Sequence, residues 1–582
     1  YMTPQYNPGE VEKSYVNLVD FAKTENIKPN ENEVVSLKVK ARDFASYDCY
    51  DLNKNGKKTY EIDQGLYQLK LMKNSHEVIK ADIINTREKD VDAIFEYNAK
   101  EDIILDKDPV TNKEIKNLFT GKDAIDGISI DGLNEEGGNQ NINYISRKDF
   151  SNITYPMNKN STHDVSTGRK MSQAIKDRVL FAGSDRSDRT KANNWDNAKT
   201  DEFGNEIKID DVIFGATKQD SLQIAKNKVP TELGLKLGKD YNDPDWDKVL
   251  DQVTLDEAKN MINQAHANIR GIDSIGYPGQ FDQDGPIQIG GFGNRTIRGV
   301  GYPDSTVLAQ TWNKTLAYEF GLSYGADMVS HGVDGTYGVA INIHRNPFGG
   351  RNYEYYSEDP KLTGYLASEA VKGITNMGRN TFVKHFAVAQ TETSRDSLYT
   401  WLSEQAFREI YLEGFRIVVE EGQTTALMTS YNRVGALWAG GSTALLTGVL
   451  RNEWGFNGTI ITDYSDFNQF MNLDETLRAG GDLGMAVGLS FDINSTNRIK
   501  QRAKDAVKHT VYAWLNSKYR AEEYKKNPYN GKEVISANTT ESFNWVRPLF
   551  IDVNIALGAT ILGLILFGVL DITSLFKKEE DK

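Results

Sequence analysis

Residues 458–466 read GTIITDYSD. A β-branched run, Thr459 to Thr462, ends at Asp463, and an unbroken run of strand formers suits a strand buried on both faces, as in a parallel sheet. An aspartate at the tip of such a strand has a structural reading, as a turn or helix-cap residue. It also has a chemical one, because parallel α/β folds gather their reactive groups at the carboxyl ends of strands. The other strand ends decide between the two.

The same rhythm runs through the surrounding chain. From DPDWDKVLDQVTLDEAKNMINQA (243–265) onward, short β-rich runs alternate with amphipathic segments. Thr254 with Glu257 three residues later forms a capping-box pattern that predicts a helix start. SLYTWLSEQAFREIYLEGFRIVVEEG (397–422) reads as a helix and TALMTSY as the strand after it, while TALLTGVLRNEWGF leads into TIITDY. Alternation over about 280 residues is the size of a (β/α)8 TIM-like barrel.

The strand ends of that barrel carry polar groups. FDQDGP offers Asp284, and GVAINIHRNPFGGRNYEYYSEDP offers His344, Arg345, Arg351, Glu354 and Glu358. NTFVKHFAVAQTETSR offers Lys384, His385, Glu392 and Arg395, ALMTSYNRV offers Tyr431 and Asn432, and TIITDYS offers Asp463. Taken singly, Lys384 reads as a solvated lysine, His385 as a satisfied core histidine, and either arginine as the ion-pair partner of Glu354 or Glu358. Their succession at consecutive strand ends is the stronger signal, because a barrel gathers those ends around one mouth. Paired donors and acceptors with aromatic faces suit a ligand made of hydroxyls on an apolar ring.

The rest of the chain bounds these readings. A length of 582 residues predicts two to four domains. Eighty-two acidic residues against 68 basic, a net charge of −14, leave no basic stripe for nucleic acid. Cys49 is the only cysteine, which excludes an internal disulfide, and seven scattered histidines without HExxH or HxH spacing predict no metal. VVSLKVKA (34–41) and LYQLKLM (66–72) alternate at period two and read as strands of a small antiparallel sandwich, with an Asn55-Gly56 turn between them. Residues 111–235, rich in Asn, Asp, Lys and Gly, read as an irregular connector wrapped on a neighbouring domain. The apolar run Val553 to Leu570, broken only by Asn554, predicts a transmembrane helix within 548–576. Lys577 and Lys578 would then hold a short cytoplasmic tail, 577–582, with the bulk of the chain outside the cell membrane. The opening YMTPQYNPGEV has neither an initiator Met nor a leader, and reads as the start of a fragment or processed chain.

At QDGP, YPDSTVLAQTWNKTLAYEFG, GVAINIHRNPFGGRNYEYYSEDP, VKHFAVAQTETSR, ALMTSYNRVGALWAGG and LLTGVLRNEWGFNGTIITDY the sequence resembles glycoside hydrolase family 3, the retaining exo-β-glycosidases. VKARDFASYD and GLYQLKLMKNSHEVI resemble that family's fibronectin-III-like domain, here placed before the barrel. The resemblance implies a fibronectin-III-like β-sandwich over 1–110, the connector 111–235, a catalytic barrel over 236–520 and a linker over 521–547 before the membrane helix. By motif it makes Asp463 the nucleophile and gives Asp284, Arg345, Lys384, His385 and Tyr431 to sugar binding. Arg351, Glu354, Glu392 and Arg395 take supporting places.

The implied reaction is cleavage of terminal β-glycosidic, most often β-glucosidic, bonds without a cofactor. The chain departs from the family at the proton donor. It has neither the usual glutamate of an α/β sandwich domain nor the His-Asp pair of a KHFPGHGDT-like loop, so a missing upstream domain or a partner chain is expected to supply it. DGPIQI also lacks the arginine that many members carry after the aspartate. Two other functions fit the same residues: a carbohydrate-binding pseudoenzyme, and a Schiff-base aldolase-type barrel using Lys384.

Overall fold

The computed structural model describes residues 1–127, 173, 195–290, 297, 299–393, 395–465, 471–485, 493 and 496–528. Residues 1–523 form one compact unit. A second unit, 524–582, is described only as far as residue 528.

The N-terminal part builds two three-stranded antiparallel sheets. One orders Met2–Pro4, Gly65–Leu69 and Phe95–Ala99, and the other Ser46–Tyr47, Tyr60–Ile62 and Ile103–Leu105. Met2, Val19, Ile62, Tyr67 and Ala99 form one small core, and Tyr47, Cys49, Tyr60 and Ile115 another. LYQLKLM is thus partly a strand. VVSLKVKA is not: residues 31–40 are exposed and in no ladder, and the Lys38 N–H donates to Asp20 Oδ2 at 2.8 Å instead of to a neighbouring strand. Alternation marks a chain able to pair, but a strand also needs a partner in register.

From residue 245 onward helices and strands alternate. The predicted capping box forms, with Thr254 Oγ1 accepting from the Glu257 N–H at 3.2 Å and Glu257 Oε2 accepting from the Thr254 N–H at 2.9 Å, and helix Leu255–Asn263 follows. The 397–422 segment is helical only from Glu404, where Ser403 caps it; Tyr399–Thr400 pairs in parallel with Arg433–Val434.

The expected closed ring of eight paired strands is not formed among the described residues. Gln280–Asp284, Gly335–Tyr337 and Asn380–Thr381 make one parallel run, and Val383–Phe386, Ala426–Thr429 and Thr459–Ile461 a second. The register shifts between Val383 and Phe386, so the 380–386 segment serves both runs without one continuous ladder. Leu483 bridges Ile461 in parallel. Beyond it the contacts come from the end of the Leu255–Asn263 helix and the loop after it, with the Gly484 N–H donating to Ile262 O at 2.9 Å and the Ala265 N–H to Gly484 O at 3.2 Å.

The expected transmembrane helix, and with it the single-pass membrane localisation and membrane partner, is also corrected. Among the described residues no helix is long and apolar enough to cross a membrane, and 548–576 lie outside them. The longest described helix, Asn497–Lys526, carries Arg498, Lys500, Arg502 and Lys504 in its opening turns, which hydrocarbon does not accept.

Two outer helices, Lys314–Ser330 and Pro360–Asn376, meet backbone to backbone. A Cβ on Gly373 would lie 2.4 Å from Tyr318 O, and one on Gly321 would lie 2.2 Å from Ala370 O. Gly373→Ala is therefore expected to destabilise the fold by about 1–3 kcal/mol through overpacking. Gly301→Ala, whose methyl meets open space, leaves it unchanged. Paired urea titrations of the two variants check this.

Candidate active site

The carboxyl ends of the parallel strands open on a cavity of about 430 Å³. Asp284 and Tyr337 are the last residues of their strands, Lys384 and His385 lie within Val383–Phe386, and Tyr431, Asp463 and Met485 each stand two residues past Thr429, Ile461 and Leu483. Arg351, Glu392 and Arg395 enter from loops.

Lys384 is 4% exposed, so its ammonium must be paired inside the protein. Its Nζ lies 3.3 Å from Asp284 Oδ1 and 3.7 Å from Glu354 Oε2. Glu354, buried behind the cavity wall, also pairs through Oε1 with Arg351 Nε. Arg395 Nη1 donates to Glu392 Oε1 at 2.6 Å, and the Arg395 guanidinium lies 4.3 Å from the Tyr431 ring centre. Three permanent cations thus each hold a carboxylate, and Asp463 is the carboxylate left over.

Asp463 Oδ1 accepts the Tyr464 N–H at 2.8 Å, while its buried Oδ2 has no hydrogen-bond partner. The nearest ionisable contact is His385 Nε2 at 3.6 Å. Burial pushes His385 well below its ordinary range, and Arg351, Lys384 and Arg395 add to that, so the ring is neutral near pH 7. Its backbone is held by Asn342, whose Oδ1 accepts the His385 N–H at 2.9 Å.

Burial pushes the Asp463 carboxyl up to about 6, against the Tyr464 N–H, Arg351, Lys384 and Arg395, which favour the ionised form. Burial also works against ionised Asp284, but Lys384, the Gly285 N–H and Arg351 prevail and hold it below the usual carboxylate range.

Of the residues singled out from sequence, Asp284, Arg351, Lys384, His385, Glu392, Arg395, Tyr431 and Asp463 line the cavity. Glu354 sits behind it. Arg345 does not line it; its Nη2 donates to Thr391 Oγ1 at 2.9 Å on the surface. Glu358 is exposed. Sequence reasoning missed Tyr337, Tyr353, Tyr464, Met428 and Met485. Tyr353 and Tyr464 adjoin motif residues and were within reach, whereas Met485 follows a strand position, Leu483, that GDLGMAV does not announce.

The geometry defines an α/β protein with a polar, carboxylate-bearing pocket at its strand ends. Residues 248–511 match the profile of the glycosyl hydrolase family 3 N terminal domain. A β-glucosidase from Ruminococcus albus is 38% identical over 197 residues, 33% of this chain and 20% of that protein. β-Glucosidase A from Butyrivibrio fibrisolvens is 38% identical over 217 residues, 37% of this chain and 26% of that protein. A solved β-glucosidase structure from Paenibacillus barengoltzii superposes with a TM-score of 0.58 at 22% identity, over 89% of this chain and 51% of that one, a likeness of fold. Residues 248–511 thus match a glycosyl hydrolase family 3 N terminal domain, and the chain spans 20% and 26% of the two curated relatives' lengths.

A carboxyl whose pKa is raised from 3.8 to about 6 binds its proton more tightly in the folded state. Stability is then lost as pH rises from about 4 to 6, and the full cost is present above 6. Asp463→Asn removes that cost, so the variant is expected to be more stable than the parent at pH 7.5, by up to about 3 kcal/mol. The gain shrinks as pH falls towards 4, and melting curves across that range check it.

Proposed function

We propose that this chain carries the catalytic pocket of a retaining β-glycosidase acting on terminal β-glucosyl residues. The observation that supports it most directly is Asp463, a buried carboxylate with one unpartnered oxygen in a cavity where every other carboxylate has a cation. Such an oxygen is free to attack carbon. The β-glucosidase relatives support the sugar.

In this reading the hydroxyls of the terminal sugar are held by Asp284, Lys384, His385 and Arg351, which together offer acceptors and donors. Arg351 takes the place that the sequence reading gave to Arg345, because it lines the cavity. Tyr431, steadied by Arg395, covers one side of the ring.

Asp463 Oδ2 attacks the anomeric carbon, a C–O ester bond forms as the glycosidic C–O bond breaks, and the departing oxygen takes a proton from a second carboxyl. Water then adds to the same carbon, giving its proton back to that group and releasing Asp463. Among the described residues Glu392 is committed to Arg395 and Glu358 stands outside the pocket, so this reading draws the proton donor from a further domain or chain. The aldolase-type alternative fits less well: an amine that attacks a carbonyl must be uncharged, and Lys384 lies between two carboxylates.

Trapping with a 2-deoxy-2-fluoro-β-glucosyl donor is expected to label the peptide containing Asp463. Intact protein that binds glucosides but never takes up the label is a carbohydrate-binding module instead. Asp463→Ala is expected to lower kcat/KM on aryl β-glucosides by roughly 10⁴-fold or more, with azide restoring turnover as the α-glucosyl azide. For the parent chain, kcat/KM on those substrates rises with pH through about 6 as Asp463 ionises.

A further inference from the structure

Residues 51–61, DLNKNGKKTYE, form a surface loop of the N-terminal sheets that the glycosidase reading does not use. Oxygen-bearing side chains stand at its first, third and fifth positions, Asp51, Asn53 and Asn55. The glycine needed for a sharp turn stands sixth, as in twelve-residue calcium loops. The backbone takes that turn, with Gly56 at φ +79° and its N–H donating to Asp51 Oδ1 at 3.0 Å. Asn53 Oδ1 and Asn55 Oδ1 accept from the N–H groups of Asn55 and Lys57 at 3.3 and 2.8 Å. Glu61 stands eleventh rather than twelfth, and on strand Tyr60–Ile62 rather than on a helix.

Glu61 supplies an observation independent of the loop pattern. It is 1% exposed, its Oε2 accepts from the side-chain amides of Asn53 and of Asn55 (2.6 Å for the latter), and its buried Oε1 has no partner. The carboxylates of Asp48 and Asp63 lie close by and add like charge around it. Asp63 has Lys13, and Asp48 accepts main-chain N–H groups from Tyr50 and Leu52. A carboxylate buried among like charges, facing two turn amides, is an arrangement that a cation stabilises.

We propose that the 51–61 loop is a calcium site, with side-chain oxygens from Asp51, Asn53, Asn55 and Glu61 and a main-chain oxygen from Lys57. Among the described residues no three acidic, histidine or cysteine side chains gather at one point. The cation therefore has to draw on amide and main-chain oxygens as well, which calcium accepts. Magnesium, which prefers a rigid octahedron and keeps its waters, suits a loop of this kind less well. With only two formal negative charges among the ligands and Lys54, Lys57 and Lys58 alongside, the affinity belongs to the weak class, about 10⁻⁴–10⁻³ M. Binding would tie the loop to the central strand of its sheet.

The test uses the full chain, stripped with EDTA and titrated with CaCl2 by calorimetry, then with TbCl3 excited through tyrosine, since Tyr60 adjoins Glu61. One saturable calcium site is expected, with magnesium at least tenfold weaker and a melting point raised by calcium. Glu61→Gln is expected to weaken calcium binding at least tenfold while melting no lower than the parent in EDTA. Asp51→Asn, at a half-exposed loop position, gives the same loss of binding and decides the matter if the first variant does not fold. No saturable binding at concentrations tenfold above that range, or binding unchanged in Asp51→Asn, overturns the proposal. Activity on aryl glucosides is read separately and does not enter this test.

Discussion

An ammonium largely withdrawn from water has to find its counter-charges inside the protein, and the pocket is organised around that need at Lys384. Its Nζ reaches Asp284 from one strand and Glu354 from a loop, and Glu354 reaches on to Arg351. One buried cation therefore joins the 280–284 strand, the 383–386 strand and the 345–357 loop. Breaking any of these pairs leaves a buried charge uncompensated, which costs far more than the pair gains relative to an apolar replacement. Charge pairing of this kind holds the walls of the cavity at a fixed separation, and rigid walls are what a reaction at one carbon atom requires.

The same pairing explains why Asp463 differs from its neighbours. Lys384, Arg351 and Arg395 are spent on Asp284, Glu354 and Glu392. His385, whose Nε2 lies 3.6 Å from Asp463 Oδ2, is kept neutral by burial and by those same three cations. What remains is a carboxylate under a positive field but without a contact ion. The field lets it ionise near neutral pH, and the missing contact leaves its Oδ2 available. A contact salt bridge would have secured the charge and blocked the atom.

The strand ends were legible because β-branched runs that stop at a polar residue are a local signal. Asp284, Lys384, His385, Tyr431 and Asp463 were all found that way, and all line one cavity. The 345–357 loop was not legible, because its path is set by contacts between residues several positions apart. Asn346 O accepts both the Gly349 N–H and the Asn352 side chain, which folds the loop back and brings in Arg351 while Arg345 stays outside. VVSLKVKA failed for a related reason, since its pattern was right but pairing depends on a partner the pattern does not specify. The upward shift of Asp463 was not legible either, because nearby cations can be counted in a sequence, whereas burial, the larger effect here, belongs to the fold.

Asp463 and Glu61 each carry a buried oxygen without a partner. Their surroundings divide them. Around Asp463 the neighbours are cations held at a distance, and in the proposed reaction the positive charge it meets is transient, the one that develops on an anomeric carbon as its bond to the leaving oxygen stretches. Around Glu61 the neighbours are other carboxylates and two side-chain amides, no cation among the described residues pairs with it, and the proposed calcium ion is its complement. The local charge balance thus distinguishes the proposed site for chemistry from the proposed site for an ion, although both begin as a carboxylate on a short buried strand or just past its end.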